Sequence, residues 1–345
     1  MKPVGAAPRI DSDQSVVNLG LLYFRWHPPQ PARKRTMSRP IVTLTLNPAV
    51  DLACSAEHVV HTHKVRTSGE HIDPGGGGVN VARVLHALGA ETLAVILAGG
   101  VTGALIEDLL DEAGVPHRTV RIRGRTRISF TVFDRTAGLE YRFVPEGPTA
   151  EAHDWLDTLS LLETLDCEWL IASGSLEHGM PEDIYAQVAV MARRLGHRMV
   201  LDTSGPPLRA ALDAGVELVK PSLGELESVV GHPLPDPAEQ EAVAMSLVRE
   251  GKARLVAVTL GEQGAFLASA QGVVRMPALE VPFRSAVGAG DSFVAAMTLA
   301  LSRGRSPEDA LAYGVAAGAA TVACAGTARL LKEDVETQYR RLRPM

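Results

Sequence analysis

Short β-branched runs alternate with amphipathic helical stretches along most of this chain, and that alternation leaves few folds open. Residues 41–46, 92–97, 169–173, 199–202, 217–220 and 255–260 read as buried strands. Helical spacing of apolar residues marks 79–89, 103–113, 182–195, 223–230 and 238–250. Two short strands flank Gln271-Gly272, and two Ala-rich helices, 289–303 and 308–323, close the core. Such an order predicts an α/β fold with a mostly parallel central sheet flanked by helices on both faces.

One stretch breaks the rhythm. Residues 126–134 and 139–144 are strand-like runs around the turn at 134–138, which is a hairpin signal. No helix follows to cover it. Together with the early region it is read as a small β-sheet lid, formed by about 51–72 and 121–145, on a domain spanning 39–335. Residues 336–345 are read as a C-terminal tail. Residues 1–38 are Pro- and Arg-rich and lack the apolar core of a secretory signal. They read as a disordered leader, or as a start placed too early with Met37 the true one.

The bulk numbers exclude more than they assign. With 34 Lys and Arg against 40 Asp and Glu, the formal charge of −6 argues against nucleic acid as a partner. Cys54, Cys167 and Cys324 are far apart and in no metal or redox spacing, which fits a reducing cytoplasm. No apolar run is long enough to cross a membrane.

In open α/β sheets, ligands bind beyond the carboxyl ends of the strands. Polar and glycine clusters fall at those ends, including Asn47-Pro48, Ser173-Gly174-Ser175, Asp202-Thr203 and Lys220-Pro221. Two motifs carry chemistry. Gly288-Ala289-Gly290-Asp291-Ser292 leads into a helix. Free N–H groups at such a helix start hold an anion, and an Asp in the turn can accept a hydroxyl proton, the pairing that phosphoryl transfer needs. An ordinary Asp-capped helix gives the same letters. In the second motif, Pro74-Gly75-Gly76-Gly77-Gly78-Val79-Asn80, four glycines run straight into a helix. A polar ligand can lie against that bare backbone. Neither motif is a P-loop or a dinucleotide fingerprint, and the first strand is followed by Asn-Pro, so a Rossmann dehydrogenase is disfavoured.

In order and spacing these motifs resemble the PfkB (ribokinase-like) family of sugar kinases, from about residue 41 to 330. Asn47-Pro48-Ala49-Val50-Asp51, Val219-Lys220-Pro221 and Thr259-Leu260-Gly261-Glu262-Gln263-Gly264 extend the likeness. The resemblance implies ATP and Mg²⁺ as cofactors and the branch that phosphorylates phosphorylated hexoses. Within it, Lys is usual at the place of Gly77 in fructose-1-phosphate and tagatose-6-phosphate kinases. The glycine here points to transfer of the ATP γ-phosphoryl group to the C1 hydroxyl of fructose 6-phosphate. The other two acceptors stay open, as does a non-catalytic sugar-phosphate sensor.

By the same resemblance, Asp291 is the catalytic base and Gly288, Ala289 and Gly290 form the anion hole. Asp51, Lys64, Gly76, Gly77, Asn80, Arg127 and Ser175 are implied to line the sugar phosphate, Arg127 pairing its phosphate. Lys220, Ser222, Thr259, Gly261 and Gly264 are implied to contact ATP, with Glu225 holding Mg²⁺ through water. Ser222 departs from the usual Asn, and Pro145-Glu146-Gly147 departs from the usual Met-Pro-Gly. Some members bind a monovalent cation such as K⁺ near the place of Cys324. A homodimer through the lids is expected, since bare strands need covering.

Overall fold

Val, Ile, Leu and Ala fill the strand runs on both sides, because each side of the sheet meets a layer of helices. The computed structural model describes residues 39–324 and 330–342, so the expected leader lies outside the described residues. The chain opens with β1 (Ile41–Thr45), leaves the sheet as β2 (Ala49–Ala56) and β3 (Thr67–Gly75), and returns through α1 (Gly77–Ala87). β4 (Thr92–Ala98), α2 (Gly100–Glu112) and β5 (His117–Arg121) follow, then the hairpin β6 (Arg127–Asp134) and β7 (Leu139–Phe143). Next come α3 (Ala152–Glu163), β8 (Trp169–Ser173), α4 (Ile184–Leu195), β9 (Arg198–Asp202) and α5 (Gly205–Ala214). β10 (Val216–Val219), α6 (Leu223–Val230), α7 (Pro237–Arg249), β11 (Ala253–Thr259), β12 (Ala265–Ser269) and β13 (Gly272–Met276) complete the strands. α8 (Ala289–Ser302), α9 (Pro307–Ala323) and α10 (Lys332–Leu342) end the described chain.

Nine strands make the main sheet in the order β13-β12-β11-β10-β9-β8-β1-β4-β5. All are parallel except β12 and β13, which join antiparallel at one edge. Alternate side chains of one strand feed two cores. Leu170 and Ala172 pack with α3 to α7, while Trp169 and Ile171 pack with α1, α8, α9 and α10. Each fully buried Leu or Ile contributes about 1.5–3 kcal/mol. The second sheet has four strands, β3-β2-β6-β7, with β2 and β6 parallel in the middle.

Four segments differ from the sequence reading. The run at 117–121 is a strand of the main sheet, paired with β4, whereas its alternating basic residues concealed it. Residues 205–214 form α5 although they begin Gly-Pro-Pro, because proline is tolerated in a first helical turn. Residues 152–163 form α3, closed by a reciprocal Glu151–Asp154 capping box that was not read from the sequence. The segment expected as a tail is helical through Leu342, and the boundary at 335 falls inside α10, where Val335 is fully buried.

Candidate active site

The C-terminal end of the central strands brings the two glycine motifs together. α1 starts at the end of β1 and α8 starts beside it, and the helices pack against each other. Close approach explains the glycine run. A Cβ at Gly75 would stand 2.1 Å from an Asp51 carboxylate oxygen, and one at Gly77 would stand 2.3 Å from Ser173 Oγ. Gly76 takes φ 103, a left-handed value that side chains resist. So Gly75 lies against Asp51, Gly76 against Thr45 and the Asn47-Pro48 turn, and Gly77 against the end of β8.

Asp291 sits in the first turn of α8, after Gly288 at φ 77. Its Oδ2 accepts a 2.9 Å hydrogen bond from Asn80 Nδ2. Burial pushes this carboxyl up to about 7, Asp202 adds to the push, and Asn80 and Lys220 oppose it. That places the proton affinity of Asp291 in the range useful to a general base at neutral pH. Of the three N–H groups expected to form an anion hole, that of Ala289 donates to Ala286 O at 3.3 Å, which leaves Gly288 and Gly290 of that set, with the first-turn N–H of Asp291 next to them.

Lys220 is buried and paired with Asp202 at 2.9 Å. Burial opposes its charge, but Asp202 and Glu225 outweigh that and hold it above the usual lysine value. A Cβ at Gly290 would be 3.5 Å from Lys220 Nζ, so the cation stands beside the first turn of α8. Asp202 closes β9, and although its strand-end position was noticed, no role was given to it.

Ser222 is the N-cap of α6. Its Oγ accepts from Glu225 N at 3.3 Å, and Glu225 Oε2 accepts from Ser222 N at 2.7 Å. The Ser222 hydroxyl accepts in the helix cap, and its O–H can still donate to a further partner. Among the described residues no group of three or more His, Cys, Asp or Glu is arranged to hold a metal ion. Isolated carboxylates such as Glu225 fit Mg²⁺, which keeps its waters and takes phosphate oxygens as ligands.

Thr259 closes β11, bridged to Ser222, and Gly261 opens a single 3₁₀ turn. Gly264 is packed on the backbone at the end of β13, where a Cβ would be 2.2 Å from Met276 O. Residues 325–329, which follow Cys324 and carry the monovalent-cation expectation, lie outside the described residues.

On the sugar side, Arg127 opens β6 and is half-buried. Its guanidinium donates to Asn47 O and to Pro145 O, each at 2.9 Å. Asn47 is the hub there, its Nδ2 donating to Glu146 O at 2.8 Å, Leu176 O at 3.1 Å and Ser175 Oγ at 3.4 Å. A Cβ at Gly147 would press on Asn47 Oδ1 at 2.6 Å, which accounts for the glycine there, while Pro145 and Glu146 have no structural explanation. In the sequence Asn47 stands at a strand end and opens the Asn47-Pro48-Ala49-Val50-Asp51 motif, with no site role of its own. Burial raises the Asp51 carboxyl, and Arg142 and Arg127 oppose that. Lys64 is exposed in the loop between β2 and β3, and the structure does not bring it into this cluster.

A buried carboxylate at a helix start, beside a buried lysine and within electrostatic reach of Asp51 on the four-stranded sheet, is an arrangement that phosphoryl transfer can use. The profile of the pfkB family carbohydrate kinases matches residues 44–334, and the chain belongs to that family. The chain is 44% identical over 299 residues to the ATP-dependent 6-phosphofructokinase isozyme 2 of Mycobacterium tuberculosis, covering 86% of this chain and 88% of that one. It is 35% identical over 274 residues to a 1-phosphofructokinase of Xanthomonas campestris, covering 77% and 85%. The crystal structure of Escherichia coli phosphofructokinase-2 in complex with fructose-6-phosphate superposes with TM-score 0.83 at 35% identity, covering 88% of this chain and 99% of that one.

Proposed function

We propose that this kinase transfers the γ-phosphoryl group of ATP to the C1 hydroxyl of fructose 6-phosphate, giving fructose 1,6-bisphosphate and ADP. The observation that carries the reading is Asp291, with its proton affinity near neutrality, held by Asn80 over the start of α8. Asp291 takes the hydroxyl proton as the C1 oxygen bonds to the γ-phosphorus and the bond to the β-phosphate oxygen breaks. The Gly290 and Asp291 N–H groups and Lys220 face the charge on the transferring group. Glu225 would hold Mg²⁺ through water, and the ion would neutralise charge on the triphosphate. Thr259, Gly261 and the 3₁₀ turn form the wall assigned to the nucleotide.

Arg127, Ser175, Asp51 and Asn80 are assigned to fructose 6-phosphate. Lys64 joins them when the lid closes over the sugar and excludes water. The glycine at 77 favours this acceptor over fructose 1-phosphate. A lysine there would drive its Cβ to within 2.3 Å of Ser173 Oγ unless that strand end moved.

Two chains pair through the lid in this reading. Ile72, Leu52, Phe130 and Phe143 align across the four strands in one row. Ile72, Phe130 and Phe143 are each more than 40% exposed, and such an apolar face wants a partner. A coupled assay of ADP release over phosphorylated and free hexoses tests the assignment. The highest kcat/KM is expected with fructose 6-phosphate, and preference for an unphosphorylated sugar overturns it.

A further inference from the structure

Two residues beyond Ser175, the loop after β8 carries a carboxylate that the proposed reaction does not use. Glu177 is 3% exposed, and its Oε2 has no hydrogen-bond partner among the described residues. Its neighbour in charge is Arg127, whose Nε is likewise buried without a partner. Asn47 ties the two together. Its carbonyl accepts from Arg127 Nη2, and its side chain donates to Leu176 O, next to Glu177 in the chain. A buried acceptor and a buried donor thus stand on either side of one hub, and neither is satisfied.

Unpaired buried carboxylates are costly, so such a group stays protonated until the pH is high. The charged groups around Glu177 are few. Asp154 faces it from α3 and Arg127 from β6, and Arg127 in turn faces Asp51 on β2. Asp154 is itself covered by His153, 3.1 Å away. Burial is the main influence and Asp154 reinforces it, pushing Glu177 up to about 8, against the pull of Arg127.

We infer that Glu177 is a positioning residue for sugar-phosphate binding, whose neutral form leaves the Arg127 guanidinium to the phosphate of the acceptor. The inference rests on the reading that Arg127 holds that phosphate. Once ionised, Glu177 takes the charge of Arg127 for itself and repels a phosphate dianion from the same pocket. Binding of the sugar phosphate is then coupled to a proton kept on Glu177, and the affinity falls as the pH rises.

The test is the pH dependence of KM for fructose 6-phosphate, separated from kcat, in the wild type and in Glu177→Gln. If only the protonated form binds, KM rises about tenfold between pH 7 and 9 in the wild type. kcat does not fall over that range, and Glu177→Gln shows a flat KM. Asp154→Asn provides a second readout that keeps the acceptor for the Glu151 cap. By removing a repelling charge, it moves the rise in KM to lower pH. Calorimetry of fructose 6-phosphate binding without ATP, in buffers of different ionisation enthalpy, checks proton uptake near pH 8.

A wild-type KM that stays level, or one that rises equally in Glu177→Gln, overturns the inference while leaving the acceptor assignment intact. Failure of the wild type to bind any hexose phosphate at any pH overturns both.

Discussion

Asn80 Nδ2 lies 2.9 Å from Asp291 Oδ2. The two residues are far apart in sequence, one in the first turn of α1 and the other in the first turn of α8. Their bond turns two separate glycine motifs into one site. Its Asn80 end is buried, so it is shielded from competing water.

The base is tested by Asp291→Asn. Loss of the proton acceptor is expected to lower kcat by at least about a thousandfold, with Tm unchanged or raised, because a costly buried carboxyl is gone. Turnover within tenfold of the wild type would remove Asp291 from the role.

The pH profile follows from the same group. Asp291 is pushed up to about 7, so it is protonated and idle below that pH. kcat/KM should climb as pH rises through about 7. The Asn80 bond pulls the value down, so Asn80→Ala should shift the rising limb upward as well as lower kcat. An unshifted limb in that variant would separate Asn80 from the base.

Lys220 and Asp202 form a buried pair, with side chains 8% and 13% exposed. Removing one partner strands the other. Lys220→Met should destabilise the fold by about 3 kcal/mol and raise the KM for ATP, whereas replacing both members together should recover much of the stability. Denaturant titration of the two single variants and the double variant measures the coupling, and simple additivity would contradict it.

Gly77 packs tightly against the end of β8. A Cβ there meets Ser173 Oγ at 2.3 Å, and Gly174 N and Ser173 C at 3.0 Å. Gly77→Ala should cost about 1–3 kcal/mol, and adding Ser173→Ala should return part of it by removing the nearest atom. Thermal melts of the pair would show no rescue if the glycine were needed only for its torsion angles.

The lid face predicts assembly. Phe130 and Phe143 have ring centroids 5.7 Å apart on the exposed side of the sheet. Phe130→Lys should shift sedimentation to the monomer and cut activity if the paired lids hold each other closed. An unchanged dimer, or a wild type that is already monomeric, would count against this face as the contact.

The local chemistry of the chain was legible without coordinates. Strand runs at 41–46, 169–173 and 255–260 stand where they were read, because a strand buried on both faces must be apolar throughout. The hairpin at 127–143 and the helix starts at Gly77 and Ala289 also follow from local turn and capping chemistry. What failed locally failed for reasons of masking: arginines hid β5 and prolines hid the start of α5.

Tertiary structure decided which residues meet. No spacing in the sequence joins Asn80 to Asp291, Lys220 to Asp202, or Asn47 to Arg127, since these pairs come from different strands and helices whose ends converge at one edge of the sheet. It also placed Ser222 in a helix cap and packed Gly264 against the end of β13. Glu177 shows the limit most plainly: as a letter it is one more acidic residue, and only burial beside Arg127 makes its charge matter. Period and propensity act over a few residues, but desolvation and pairing depend on everything within several ångströms, which the fold alone arranges.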